Sequence, residues 1–444
     1  MKKVYFLTSG CKVNQYETEL LRTNFLSNGF LPATALEEAD LVVINTCVVT
    51  AKAERDCRNL IYQALRKNKE VIVTGCLVLE GEWLSSEKGK CSVNSFSVIA
   101  RDKVPKQSDE VVASQPKAGV AISSRLLHFV RNDNKIKFLT KEEILGKFSV
   151  RKSKIEKFSG RTRAFVKIED GCPKDCSYCI VSRIRGPVRR RPEEEILEEI
   201  CGLANNGYKE IILCGVHLSA YGSARLVELL RKIIKIDKVK RVRLSSIGIE
   251  AISDSLIEIL STPKICPHLH ISLQSGDDGI LKRMNREYSL DEYKELVFKI
   301  REKIPKITFS TDIIVGFPGE DKKAFQNSCQ AIEEIGFIRT HIFRYSDRKG
   351  TPAYSFPDKI PEKLKKERAK ELRELSLKVA RKEKAKFIGT SLSLLVENRS
   401  NGFYSGYTEN YIPSLLSSER DIHKGEIIPF LPVSLKEDHL LAIL

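Results

Sequence analysis

No stretch of this 444-residue chain holds the roughly 18 unbroken apolar residues of a membrane span, so no membrane partner is expected. The opening MKKVYFLTSGCKVNQ has only a short apolar run before polar residues resume, too short for a secretory leader. Although there are twelve cysteines, no spacing reads as a disulfide framework. A reducing, cytoplasmic setting is therefore expected, in which thiols serve metals, clusters or catalysis. Acidic residues are the minority: 75 Lys and Arg face 58 Asp and Glu, a formal net charge of +17. That excess favours a polyanionic partner, nucleic acid before a membrane surface, although a lysine-rich composition alone would give the same charge.

Three short apolar, β-rich runs end in small polar residues and a cysteine: VYFLTSGC at Cys11, LVVINTC at Cys47 and VIVTGC at Cys76. Helix-like segments separate them, which implies βαβ units and a parallel sheet. Ligands of such sheets bind beyond the carboxyl ends of the strands, so the three thiols are expected to converge. A second series, AFVKIEDG, KEIILCGVHL, KRVRLSSIG, HLHISLQSG, ITFSTDIIVGF and THIFRYS, alternates with helices such as RPEEEILEEICGLANNG. Six strands of this kind fit an α/β barrel whose chemistry gathers at the strand ends. After a charged helical run, the residues from Ile388 read as short strands of a small β-barrel. The fold class is α/β, with expected domains at 1–145, 146–385 and 386–444. KVPKQSDEVVASQPKAG, residues 103–119, reads as loop, and Cys57, Cys91, Cys201, Cys214, Cys266 and Cys329 read as small hydrophobic residues.

The densest motif is EDGCPKDCSYCIVSRIRG, with Cys172, Cys176 and Cys179 at Cys-x3-Cys-x2-Cys spacing. Three thiols are one short of a closed zinc site, and the flanking His128 and His217 are distant in sequence. On a four-iron cube, three thiolates leave one iron open. The strand-end trio has the same arithmetic.

The spacing resembles the radical S-adenosylmethionine (SAM) superfamily. TSGCKVNQYETE, INTCVVT, VTGC, GVHLSAYG, HISLQSGDDGILKRMNREY, DIIVGFPGE, YSDRKGTPA and GYTENYI, in that order, are similar to the radical SAM methylthiotransferases. That resemblance implies an amino-terminal methylthiotransferase domain, a partial (β/α)6 radical SAM barrel and a terminal TRAM domain. It implies two [4Fe-4S] clusters, an auxiliary one on Cys11, Cys47 and Cys76 and a SAM-binding one on Cys172, Cys176 and Cys179. It also implies SAM contacts by Tyr178, Gly215, Ser245, Gln274 and Asp312. GCKVNQYE, GVHLSAYG and YSDRKGTPA are most similar to the branch that methylthiolates C2 of N6-threonylcarbamoyladenosine, 3′ of the anticodon in tRNA. The branches acting on isopentenyladenosine or on a ribosomal-protein aspartate are less similar. The implied partners are the tRNA anticodon loop, a low-potential electron donor such as flavodoxin or ferredoxin, and a sulfur source.

Some positions depart from the family pattern. GIEAIS stands where Glu-Pro is usual, leaving Glu250 as a possible substitute; Arg344 replaces a common proline, and GCLVLEGEWL lacks a glutamine. Arg183, Arg185, Arg189, Arg190 and Arg191 follow the cysteine loop and read either as phosphate contacts or as a solvated, salt-bridged face. Tyr404, Tyr407 and Tyr411 read as base-stacking platforms or as core. A non-enzymatic iron–sulfur RNA-binding module is the rival class; it would not cleave SAM.

Overall fold

The computed structural model describes residues 1–79, 81 and 136–443; the expected loop at 103–119, Cys91 and His128 lie outside them. Contacts group Met1–Lys154 and Arg183–Arg185 into one compact unit, and Ile155–Ser182 and Gly186–Leu444 into a second. Residues after 386 thus form their own sheet but belong to the same compact unit as the barrel.

The first unit is a five-stranded parallel sheet ordered β2-β1-β3-β4-β5, from β1 (Lys3–Thr8), β2 (Leu31–Pro32), β3 (Leu41–Thr46), β4 (Glu70–Gly75) and β5 (Ile136–Phe138). Helices α1 (Lys12–Ser27) and α2 (Ala51–Arg66) make the crossovers. The Thr50 hydroxyl starts α2 by accepting from Ala53 N–H at 3.1 Å, one of the donors that a helix start leaves unpaired. Strand β3 is buried along its whole length, as a central parallel strand should be. Phe25 of α1 meets Phe6, Phe30 and Phe148 edge-on at 4.8–5.5 Å, closing the core over one face.

In the second unit, six parallel strands follow the order expected from sequence. They are β6 (Arg163–Lys167), β9 (Glu210–Cys214), β10 (Arg241–Leu244) continuing into β11 (Ser246–Ile247), β12 (His268–Ile271), β13 (Thr308–Val315) and β14 (Arg339–Arg344). A two-residue ribbon, β7 (Glu169–Asp170) with β8 (Arg189–Arg190), flanks the cysteine loop. Pro192 caps the helix Glu193–Asn205, whose first turn carries three glutamates where the helix dipole favours them. Alternate residues separate the two faces of the sheet. Leu269, Ile271, Phe309 and Ile313 are fully buried outward, while His268, His270, Ser310, Asp312 and His341 line the inside.

Strands β15 (Leu392–Ser400), β16 (Phe403–Thr408), β17 (Pro413–Ser417), β18 (Ile427–Phe430), β19 (Ser434–Lys436) and β20 (His439–Ile443) form one sheet ordered β18-β15-β16-β17-β20-β19, consistent with a small barrel. Its loop at Tyr411, in left-handed backbone at φ 65°, plugs the amino-terminal end of the large barrel. The Tyr411 ring stacks on Tyr407 at 4.8 Å, lies 4.9 Å from His268, and carries the Arg243 guanidinium 4.7 Å above it. Arg243 also donates to Glu409 O at 3.0 Å and to Glu210 Oε1 at 2.9 Å, and Arg241 reaches Glu210 Oε2 at 3.5 Å. Burial alone would raise the Glu210 carboxyl, but Arg243, Arg163 and Arg241 hold it below its ordinary value. Tyr404 is buried, its hydroxyl meeting Asp421 at 3.1 Å, whereas Tyr407 and Tyr411 are half-buried.

Removing Glu210 would strand two buried guanidinium groups. Glu210→Ala is expected to cost about 3–5 kcal/mol, read as a lowered urea midpoint. Arg231→Ala, which breaks an exposed pair with Glu228, should stay within about 1 kcal/mol.

Candidate active site

The loop carrying Cys172, Cys176 and Cys179 leaves the carboxyl end of β6 through Gly171, at φ 88°, where a Cβ would lie 2.2 Å from Pro187 O. It is pinned from outside: Ser177 donates its N–H to Met284 O at 3.0 Å and its hydroxyl to Arg283 O at 2.7 Å. Arg286 places a guanidinium N–H 3.4 Å from Cys176 Sγ. Burial pushes the Cys179 thiol up to about 12 and raises Cys172 as well. Without metal, Cys172 and Cys179 are therefore thiols, and metal binding must release their protons.

Around this loop the strand ends supply a polar ring. Glu169 accepts the His217 backbone N–H at Oε1, 2.6 Å away, while its buried Oε2 has no hydrogen-bond partner. Gly215 permits this approach, since a Cβ there would sit 2.0 Å from Glu169 Oε1. Burial pushes the Glu169 carboxyl up to about 7. Glu250, the candidate substitute acid, meets His217 Nε2 at 2.9 Å; burial raises its carboxyl, but the His217 hydrogen bond, a backbone hydrogen bond and the His217 and Lys174 charges together hold it at about 2. Ser245 is buried with its hydroxyl unpartnered. Gln274 sits in left-handed backbone at φ 71°, clamped by Asp312 O and Ile314 N at 2.8 and 2.9 Å, a conformation uncommon outside glycine. Tyr178 packs edge-on against Phe317 at 6.5 Å and belongs to the wall.

Deeper in the barrel, His270 Nε2 lies 3.1 Å from Asp312 Oδ2, and Asp312 also accepts from Ser272 at 2.7 Å. His341 sits opposite Asp312 in register. Among the described residues, these three are the set of His, Cys, Asp or Glu whose ligand atoms all lie within 4.8 Å of one another.

In the first unit, Cys11 caps α1, Cys47 follows β3 and Cys76 follows β4. Gly10, at φ 114°, brings this turn against Cys47, where a Cβ would lie 2.6 Å from Cys47 Cβ. Asn14 ties the group together. Its amide donates to Thr46 O at 2.7 Å, and its Oδ1 receives Cys11 Sγ at 3.5 Å and Arg185 at 3.0 Å. Arg185 also reaches Cys76 Sγ at 3.6 Å and pairs with Glu17 at 2.8 Å. Burial pushes Cys47 up to about 12 and Cys76 up to about 11.

The arginine run divides accordingly. Arg185 is buried in that ion pair, and Arg191 bonds Glu199 at 2.7 Å and Lys167 O at 2.8 Å. Arg189 and Arg190 are exposed, Arg190 with its Nε on Ala220 O at 2.9 Å, and Arg183 is half-buried. Of the remaining cysteines, Cys57, Cys214 and Cys266 are buried, Cys329 is half-buried and Cys201 is exposed. The sequence reading missed Glu169, Arg286, His270 and His341. Alternation along HLHIS and THIF was the available signal for the histidines.

A Radical SAM superfamily model matches residues 166–332, and a model of the uncharacterized protein family UPF0004 matches residues 3–93. The threonylcarbamoyladenosine tRNA methylthiotransferase MtaB of Chlamydia pneumoniae is 36% identical over 405 residues, 90% of this chain and 88% of that one. The chain belongs to the radical SAM methylthiotransferase family. A tRNA-2-methylthio-N(6)-dimethylallyladenosine synthase of Dictyoglomus thermophilum is 33% identical, covering 100% and 98% of the two chains. The solved structure of the radical SAM methyltransferase TsrM from Kitasatospora setae shares the fold at TM-score 0.51 and 15% identity, covering 80% of this chain and 75% of that one. As a radical SAM enzyme the methylthiotransferase uses SAM and a [4Fe-4S] cluster. Three thiols on one loop, with buried unpartnered oxygens on Glu169 and Ser245 at the neighbouring strand ends, fit a cluster with a cationic amino-acid ligand.

Because the Glu169 carboxyl is raised in the fold, its contribution to stability is complete below the ordinary value of 4.5 and is lost as pH rises to about 7. Glu169→Gln should therefore flatten that pH dependence, recovering up to about 3 kcal/mol at pH 8, measured by anaerobic thermal melts at pH 5 and pH 8.

Proposed function

We propose that this enzyme methylthiolates C2 of N6-threonylcarbamoyladenosine beside the anticodon of tRNA, in the cytoplasm, using two [4Fe-4S] clusters. Cys172, Cys176 and Cys179 would hold the cluster that binds SAM, and Cys11, Cys47 and Cys76 the auxiliary cluster that carries the sulfur. When bound, these groups supply one-electron cleavage of the sulfonium, an activated methyl group and the sulfur to be inserted. The chain's own residues orient and exclude. Arg286 sets its charge against Cys176, Gly215 and Glu169 shape the strand-end ring, and Gln274 fixes the turn above Asp312. SAM contacts are proposed for Ser245, Gly215 and Gln274, with Tyr178 supporting the loop from the wall. Arg189 and Arg190, the exposed members of the arginine run, are proposed as phosphate contacts. The division at 145 and 385 into methylthiotransferase, radical SAM and TRAM segments is proposed on the same footing. So are a flavodoxin or ferredoxin as electron donor and a separate sulfur source.

The relatives carry both substrate names at similar identity, so identity does not choose between them. The observation that favours threonylcarbamoyladenosine is the polar barrel interior at His270, Ser272, Ser310, Asp312 and His341. An isopentenyl group has no hydrogen-bonding atom to offer this layer, whereas the threonylcarbamoyl group carries N–H, hydroxyl and carboxylate groups. Nucleosides from tRNA of cells lacking this gene test the proposal by mass spectrometry. The 2-methylthio derivative should vanish and N6-threonylcarbamoyladenosine accumulate, with rescue by the intact gene but not by Cys11→Ala or Cys172→Ala. Loss of 2-methylthio-isopentenyladenosine or of a ribosomal-protein adduct instead would overturn the substrate.

A further inference from the structure

We infer that His341, with His270 and Asp312, forms the subsite that recognises the hydroxy-acid substituent on the acceptor adenosine, beneath a base platform at Phe343. This rests on the proposed substrate and names the residues that select it. Strand β14 runs along the open edge of the large sheet, and its alternate residues have opposite roles. Thr340 and Ile342 face the long helix Glu362–Ala385, where they line a groove with Ser376, Leu377 and Ala380. His341 and Phe343 therefore face inward. Phe343 is 39% exposed, a large aromatic left open above the polar layer and two residues nearer the strand's carboxyl end. It lies in register one step beyond His341, opposite Ile314.

The layer below suits a substituent bearing N–H, hydroxyl and carboxylate groups. His341 and His270 have ring centroids 5.6 Å apart, so both imidazoles face one small space. The His270 orientation is set on both sides: Nδ1 meets Ser310 Oγ at 2.8 Å, and Nε2 meets Asp312 at 3.1 Å. His270, Ser310 and Ser272 hold one another and Asp312 in place, and the His341 imidazole beside them is the donor proposed for a carboxylate. Asp312 offers an acceptor to a hydroxyl or a carbamoyl N–H. All three members of the triad are only partly buried, and the floor below them is sealed by Tyr411 against His268. A site built to hydrogen-bond a polar substituent discriminates strongly against an analogue that lacks it.

The test uses reconstituted full-length enzyme and two synthetic anticodon stem-loops, one bearing N6-threonylcarbamoyladenosine and the other isopentenyladenosine. The intact enzyme should prefer the first by at least about 100-fold in kcat/KM. His341→Phe and His341→Asn, with iron content and melting temperature matching the parent, should each lose roughly 10- to 100-fold on the first stem-loop, mainly through KM. His341→Phe should also narrow the preference over the second. If both variants keep the parent's KM and preference, the subsite assignment is wrong while the substrate stands. If the intact enzyme ignores the first stem-loop and turns over the second, both the substrate and the subsite are overturned.

Discussion

The buried carboxylate of Glu210 decides which end of the barrel is available for chemistry. It sits among Arg163, Arg241 and Arg243, and these same arginines grip the carboxy-terminal sheet through Ser393, Glu397, Thr408 and Glu409. Such a network is stabilising only when it is complete, because each group alone would be a desolvated charge. Completing it seats Tyr411 in the floor. The carboxyl ends of the strands, opposite the plug, are left for the cysteine loop, the Glu169–Gly215–His217 corner and the Glu250–His217 pair.

Parallel topology does the same service for the first unit. Three consecutive strand ends bring a thiol each to one edge, and the turn at Gly10 lets Cys47 approach without a clash. Asn14 and Arg185 then give the group a polar and cationic partner set instead of an apolar one. Burial raises Cys47 and Cys76 in the first unit and Cys172 and Cys179 in the second, so these four are protonated in the apo protein and metal binding drives their ionisation.

Strand order, the helix at Pro192 and the strand-end positions of the cysteines in both trios were legible because hydrophobic alternation and turn glycines are local signals. Side-chain partnerships across the sheet were not. Arg185 and Arg189 look alike in SRIRGPVRRRP, yet one is buried against Glu17 and the other is exposed. Tyr407 and Tyr411 look like base platforms in a basic chain, yet they meet cations of the barrel floor, Arg163 and Arg243. Glu169 is one acid among 58, and only the strand register that brings it to Gly215 makes it unusual. Each depends on a contact far away in sequence.

The central claim is that each three-thiol set holds one four-iron cube with an open iron. Iron and sulfide analysis with Mössbauer spectroscopy tests it most directly, applied to the parent and to two triple alanine variants, one at Cys11, Cys47 and Cys76, the other at Cys172, Cys176 and Cys179. The account expects two [4Fe-4S] clusters in the parent and one in each folded variant, with SAM perturbing the spectrum only where Cys172, Cys176 and Cys179 are intact. A parent with a single cluster, or a folded variant at Cys11, Cys47 and Cys76 that loses no iron, would contradict it.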